Sequence, residues 1–404
     1  MFLSKHELSM LSGRHGYAKQ KSMEIIVALG KIFGADRLID IRSVQVAGVS
    51  FHNLGDAGIE YIEGMATEGR IARGVNATLN PAGMDIKSWK SMGIAPSFAR
   101  KQMRIVKAYS KIGIDATCTC IPYLINNRPR HGEHAAWSES SAVCYINSVI
   151  GAKTNREGGP SSLASAITGK TANYGFHISS NRKCEVAVDV KCSVSGEAEF
   201  GALGHAIGEK AKNRVLYIRG LDTGSITKRD MQSFCASSAT YGATALFHIE
   251  GYTPDWRSAG RARKRIGIDK GDIKKSFSFI NDKCDPDFIA VGCPHFWVEE
   301  IRMMARLLDG KKVAKEMWIF VPRSALEMMK RDFPEELGTI KKSGARLVAD
   351  TCMAVAPLRG MFRCIATNSA KACFYARGSN SFSTMLCSTE DCVKYATGEE
   401  VKRK

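Results

Sequence analysis

No C-x-x-C pair occurs among the 13 cysteines of this 404-residue chain, so neither a zinc ribbon nor a ferredoxin-type cysteine run is available. No apolar run approaches the ~20 residues needed to cross a bilayer. The opening Met1-Phe2-Leu3-Ser4-Lys5-His6-Glu7 lacks a basic region followed by an apolar one, so a cytoplasmic protein with no membrane partner is expected. Internal repeats, low-complexity runs and long Pro/Ser/Gly linkers are missing too, which argues against tethered modules and for lobes with extensive mutual contacts. Acidic residues are few: 40 against 58 basic ones, a formal charge of +18. That balance suits nucleic acid, or an anionic small molecule together with an acidic protein surface.

What is present is an ordinary globular composition, 44% hydrophobic and 24% charged, with length for two or three lobes. The densest basic stretch, Arg257 to Lys275, is flanked only by Trp256 and Phe277 as aromatics. Without a stacking pattern it reads as a solvated loop or helix face, with an RNA or partner patch as the alternative. The tail Val401-Lys402-Arg403-Lys404 reads as a frayed basic end.

Three cysteines stand apart by position. Cys120, Cys293 and Cys352 each follow a short apolar, strand-like run: Ile112 to Ala116, Phe288 to Gly292 and Arg346 to Asp350. Ligands in open α/β sheets collect beyond the carboxyl ends of strands. If the three ends converge, three thiolates face one cavity, enough to hold a cubane iron–sulfur cluster by three irons and leave the fourth open as a Lewis acid. A free cysteine is more usually a small buried hydrophobe, and nine others, Cys284 and Cys364 among them, read as packing residues or loop thiols. In Thr117-Cys118-Thr119-Cys120 an extended chain points both sulfurs to one side, so Cys118 competes with Cys120.

Along the chain, helices are expected up to about Leu38, then a strand-like stretch from Ile39 to Ser50. Its end, Ala47-Gly48-Val49-Ser50, reads as a plain β-turn or as a nest of N–H groups aimed at an anion. Leu79-Asn80-Pro81-Ala82-Gly83 is a second loop, followed by a helix from Asp85 through Lys107. The region from His131 to Gly159 packs hydroxyls, carboxylates, an amide and a guanidinium between apolar runs, as a charged substrate requires and as polar surface loops also do. Val215 to Ile218 reads as a strand and Val298 to Leu308 as a helix of an α/β lobe. The lobes are expected as 1–185 with 345–404, and 186–344. Lys371, in Thr367-Asn368-Ser369-Ala370-Lys371, is by sequence alone a surface lysine or a site residue.

These stretches carry a pattern. Gly55-Asp56-Ala57-Gly58, Thr78 to Asp85, Thr117 to Tyr123, Trp137-Ser138-Glu139-Ser140-Ser141, Thr154 to Pro160, Gly292-Cys293-Pro294-His295, Asp350-Thr351-Cys352 and Asn368 to Lys371 together resemble the large, catalytic subunit of the aconitase X family. The likeness is strongest to the archaeal phosphomevalonate dehydratase branch and covers nearly the whole chain. Ile121 stands where Thr is expected and Ala370 where Gly is common; neither change removes a ligand or a charge.

The resemblance implies an α/β fold, an aconitase-like multi-lobed α/β/α architecture around a central cluster site, with a [4Fe-4S] cluster on Cys120, Cys293 and Cys352. It implies dehydration of (R)-5-phosphomevalonate to trans-anhydromevalonate 5-phosphate, on a modified mevalonate route to isoprenoids. Lys371, Glu139 and Ser140 are then the catalytic candidates. Gly48, Val49, Ser50, Asn80 and Pro81 join them as substrate-binding residues, with the 5-phosphate on the Gly48-Val49-Ser50 amides. Glu139 relays a proton or simply holds a neighbour. No swivelling domain lies within these residues, so a separate small subunit carrying it and the base serine is expected. The competing readings are a cis-3-hydroxy-L-proline dehydratase subunit and, in another class, a cluster-free or zinc-containing RNA-binding protein.

Overall fold

The computed structural model describes residues 1–401; most of the basic tail, from Lys402 on, lies outside them. Three parallel sheets organise the chain. The first has the order Asn76–Leu79, Ser43–Val46, Ala135–Trp137. Its strands are buried along almost their whole length, as expected of a parallel sheet covered on both faces. Ile59, Ile62 and Met65 of helix Phe51–Met65, Ile105, Tyr109 and Ile112 of helix Pro96–Ile112, and Leu163 and Ile167 of helix Gly159–Thr168 share its core.

The helix that precedes Cys120 starts and ends later than the expected Asp85 to Lys107, running Pro96–Ile112 after a short 3-10 turn at Trp89–Met92. Pro96 opens it, apolar residues at Ala99, Ile105, Val106, Tyr109 and Ile112 keep one face buried, and Gly113 ends it in the left-handed conformation at φ 101°. The run Ile112 to Ala116 is therefore not a strand. It is a helix end followed by one bridge, Asp115 beside Thr78.

The middle sheet runs Phe247–Ile249, Leu216–Arg219, Val186–Val190, Lys264–Ile268, all parallel. Helices Gly196–Ala211 and Lys228–Gly242 cover it and touch backbone to backbone: a Cβ on Gly208 would sit 2.7 Å from the Gly242 nitrogen. The basic stretch supplies the edge strand Lys264–Ile268, with Lys264 and Arg265 exposed. Charge on an edge blunts strand-to-strand association.

The third sheet has five parallel strands in the order Arg346–Ala349, Glu316–Val321, Phe288–Val291, Cys364–Thr367, Ser383–Leu386. Two expectations are corrected here. Residues 345–386 do not group with the first lobe, because their strands are hydrogen-bonded into one sheet with Phe288–Val291 and Glu316–Val321. Cys284 and Cys364 are not separate thiols but a disulfide, with Cα atoms 6.4 Å apart. Their 80-residue separation hid a pairing created by neighbouring strands.

Candidate active site at facing sheet ends

The carboxyl ends of the first and third sheets meet. Ala82 N–H donates to the Asp350 carbonyl at 2.8 Å, and Ala82 bridges Thr351. Every residue singled out in the sequence except Cys120 sits on a loop leaving one of these ends or at the start of the helix that follows it; Cys120 comes after helix Pro96–Ile112 and the Asp115–Thr78 bridge, with Thr119 N–H donating to the Leu79 carbonyl at 3.0 Å. Ser43–Val46 leads to Gly48, Val49 and Ser50; Asn76–Leu79 to Asn80 and Pro81; Ala135–Trp137 to Glu139 and Ser140. Phe288–Val291 leads to Cys293, Arg346–Ala349 to Cys352, and Cys364–Thr367 to Lys371.

Cys120, Cys293 and Cys352 are all buried, at 6–7% exposure, and each lies within electrostatic reach of another of the three. Burial, then the Glu139 carboxylate and the neighbouring sulfurs, push the Cys120 thiol well up. Cys293 is raised by burial, while Lys371 and the Ser369 hydroxyl beside it act to lower it. Cys118 stands apart from the other three: at φ 44° its backbone is left-handed rather than extended, and its side chain packs in the first sheet's core. The expected common orientation of Cys118 and Cys120 is thereby corrected.

Glu139 and Lys371 form a buried ion pair across the two sheets, with side chains 4% and 12% exposed. Glu139 also caps the helix Ser140–Tyr145, accepting from Ala142 N–H and the Ser141 hydroxyl, each at 2.6 Å. Burial would raise this carboxyl, but the Lys371 ammonium and these two donors hold it below the ordinary range. Burial would lower Lys371, yet Glu139 and Cys293 raise it, so it stays a cation. The Ser140 hydroxyl lies 3.5 Å from Lys371 Nζ.

Gln45 Nε2 donates to Asn80 Oδ1 at 3.4 Å and to the Thr119 carbonyl at 3.1 Å, linking the Asn80 and Cys120 loops. At the Gly48 loop, Ser138 Oγ accepts from Ala47 N–H at 2.7 Å, and Ser50 Oγ donates to the Val355 carbonyl, just past Cys352, at 3.1 Å. Ser50 Oγ also accepts from His52 N–H, capping Phe51–Met65. Gly48 is exposed, at φ 78°, with open space where a Cβ would stand. Behind the Cys352 loop, Arg323 pairs with Asp85 at 2.6 Å and with Asp350.

Sequence reading left three neighbours unassigned: Ser369 beside Cys293, half-buried Arg229 whose guanidinium faces the Phe296 ring at 4.3 Å, and His295. Ser369 and His295 stood inside quoted motifs; Arg229 comes from the middle domain and had no local signal.

Among the described residues no three His, Cys, Asp or Glu side chains converge as a single-ion site. The donor chemistry of three soft thiols suits an iron–sulfur cluster. Buried polar atoms also stand unpartnered around them: Gln45 Oε1, Thr351 Oγ1, Thr367 Oγ1 and Asn368 Oδ1. Each costs about 1–3 kcal/mol when left unpaired, so a polar partner at these atoms fits the donor set.

Family models described as the first, second and third domains of aconitase X match residues 1–180, 184–278 and 286–398. The chain belongs to the aconitase X family. Its three matched segments coincide with the three sheets. The phosphomevalonate dehydratase large subunit of Methanosarcina mazei is 43% identical, over 100% of this chain and 99% of its own. That of Methanothermobacter thermautotrophicus is 44% identical over 94% of each. The cis-3-hydroxy-L-proline dehydratase of Pseudomonas aeruginosa is more distant, 29% identical over 98% of this chain but only 70% of its own length. The crystal structure of Thermococcus kodakaraensis aconitase X in its holo form has a TM-score of 0.90 and 41% identity, over 98% of this chain and all of that one. No helix among the described residues is long and apolar enough to cross a membrane.

Proposed function

We propose that this chain is the large subunit of an iron–sulfur hydro-lyase that removes water from (R)-5-phosphomevalonate, giving trans-anhydromevalonate 5-phosphate. The observation that carries the reading is a buried Glu139–Lys371 pair beside three buried cysteines within electrostatic reach of one another, in a chain that matches phosphomevalonate dehydratase large subunits along its full length. Cys120, Cys293 and Cys352 would hold a [4Fe-4S] cluster, which when bound supplies Lewis acidity toward the leaving hydroxyl.

The remaining work falls to side chains. Removing the proton next to the substrate carboxylate builds negative charge, and Lys371, fixed as a cation, stands ready to stabilise it. Glu139 keeps Lys371 in place; with Lys371, Ser141 and Ala142 all donating to it, its basicity is quenched, so it holds rather than relays. Ser140 and Asn80 orient the acid, with Pro81 stiffening that loop. The 5-phosphate is received by the Gly48, Val49 and Ser50 amides, at the start of helix Phe51–Met65, where backbone donors favour an anion.

Neither Lys371 nor Glu139 is free to take the proton, and in the family pattern the base is a serine of the swivelling domain, which here would belong to a second chain. The relatives' designation as large subunits supports a separate small subunit bearing the swivelling domain. The hydroxyproline dehydratases, whose own chains are longer than the matched part, support the same division.

The test is anaerobic: the chain, iron, sulfide and small subunit are incubated with (R)-5-phosphomevalonate or cis-3-hydroxy-L-proline, and product mass is followed. Turnover of the phosphate alone is expected. Turnover of hydroxyproline alone, or full activity without the small subunit, contradicts the corresponding part of the proposal.

A further inference from the structure

His295, two residues beyond Cys293, is buried at 1% exposure and is bonded to the loops of both other cysteines. Its backbone N–H donates to Cys120 Sγ at 3.2 Å. Ring Nε2 lies 2.8 Å from the Thr351 carbonyl, which only accepts, so Nε2 carries the proton and Nδ1 is left as an acceptor. Nδ1 lies 3.2 Å from the Thr119 hydroxyl. That hydroxyl oxygen already accepts from Ile121 N–H at 3.2 Å, so its own proton is available to the ring. The chain of donors closes without conflict. One side chain thereby ties the residue before Cys120 to the residue before Cys352, from a position fixed to Cys293.

A histidine serving only as packing would need partners but no particular ones. Here the partners are the immediate chain neighbours of two cysteines, 176 and 56 residues distant, and they come from two different domains. We infer that His295 is a positioning residue, a strut that presets the spacing of the three thiols before any metal arrives. The inference rests on the reading that these cysteines hold an iron–sulfur cluster. Groups behind metal ligands typically alter metal affinity about 10–100-fold when removed, and N–H donation to a ligand sulfur is among the levers on cluster potential.

The experiment uses the reconstituted complex with its small subunit, kept anaerobic. Iron release to a ferrous chelator is timed, and the electron paramagnetic resonance spectrum of the reduced cluster is recorded, for wild type, Thr119→Val, Thr119→Ser and His295→Ala. Thr119→Val deletes the hydroxyl at nearly constant volume and is expected to release iron about tenfold faster, with a shifted spectrum. Thr119→Ser restores the hydroxyl and is expected to return both readouts to wild type. His295→Ala is expected to be at least as labile as Thr119→Val; where it fails to fold, the two Thr119 variants decide. A Thr119→Val complex with wild-type release and spectrum, or a Thr119→Ser complex as labile as Thr119→Val, overturns the strut while leaving the cluster reading intact. A wild-type complex that takes up no iron and sulfide overturns both.

Discussion

The middle domain's strands end at Val190, Arg219, Ile249 and Ile268, and the loops beyond them carry none of the candidate site residues. The first and third domains are built on the same plan of parallel strands between helices, and the loops at their carboxyl ends carry nearly all of them. The difference lies in what each sheet end faces. The first and third ends face each other, joined at Ala82 and Thr351, which buries the loops from both sheets against one another. At the middle sheet's end Asp189 pairs with Arg219 and with Arg265 in a partly exposed ion network. Its contribution to the site is lateral: helix Lys228–Gly242 gives Gln232 Nε2 to Tyr123 Oη at 3.2 Å and Tyr241 Oη to the Ala370 carbonyl at 3.0 Å. Sheet architecture supplies the loop ends, and the partner sheet decides whether they become a site.

The contrast is broken most severely by Lys371→Met, which removes the stabilising cation and leaves Glu139 buried and unpaired. Turnover is expected to fall about 10²–10³-fold and stability by about 3–5 kcal/mol, read by steady-state kinetics and denaturant unfolding. Glu139→Gln is expected to cost similar stability at neutral pH, with a defined pH signature. The Glu139 carboxyl lies below its ordinary value of 4.5, so its contribution is fully present above that value and is lost as pH falls through the lower folded one. The stability gap between wild type and Glu139→Gln should therefore stay constant from pH 5 to 8 and close only below about 4.5.

Arg323→Met tests the joint between the two facing domains, since it leaves Asp85 and Asp350 as buried carboxylates without their cation. Burial already raises Asp350, with Arg323 opposing it. A raised carboxyl favours folding below its unfolded pKa, a contribution lost as pH rises through the folded one. The variant's loss of about 3–5 kcal/mol at pH 7 should consequently shrink on acidification, as urea titrations at two pH values would reveal.

Gly208→Ala strikes the middle domain instead. Its new Cβ meets the Gly242 and Tyr241 backbone at 2.7–3.1 Å, and overpacking of this kind costs about 1–3 kcal/mol. The melting temperature should drop while kcat per folded molecule stays unchanged. Smallest of all is the effect of replacing Arg261, Arg263, Lys264 and Arg265 by Ser, because surface changes stay within about 0.5 kcal/mol. Altered kcat/KM beyond about twofold, or salt-dependent RNA affinity lost with them, would restore the RNA reading.

Strand ends beside Cys293 and Cys352 were legible because buried strands read as short apolar runs: Phe288–Val291, buried throughout, and Arg346–Ala349, buried in its second half, formed where expected. The run before Cys120 misled because Ile112 completes a helical stripe and Gly113 is its cap, a signal present but outweighed by apolar density. The stretch from Ile39 to Ser50 split into Leu38–Asp40, antiparallel to Lys170–Ala172, and Ser43–Val46 in the first sheet. Polar Arg42 between them was the only local hint. Cys118 was illegible in principle, because a positive φ at a non-glycine residue is imposed by surrounding structure. Glu139 and Lys371 came through family motifs; their pairing across 232 residues belongs to tertiary structure alone.

The central claim is that the facing ends of the first and third sheets bring three cysteines, and not a fourth nearby one, around one cluster. Iron and acid-labile sulfide per chain, measured after anaerobic reconstitution of wild type and of the Cys120→Ala, Cys293→Ala, Cys352→Ala and Cys118→Ala variants, tests it most directly. The account predicts that each of the first three loses the cluster while Cys118→Ala retains it in full. Full iron and sulfide in any of the three, or their loss in a folded Cys118→Ala chain, would contradict it.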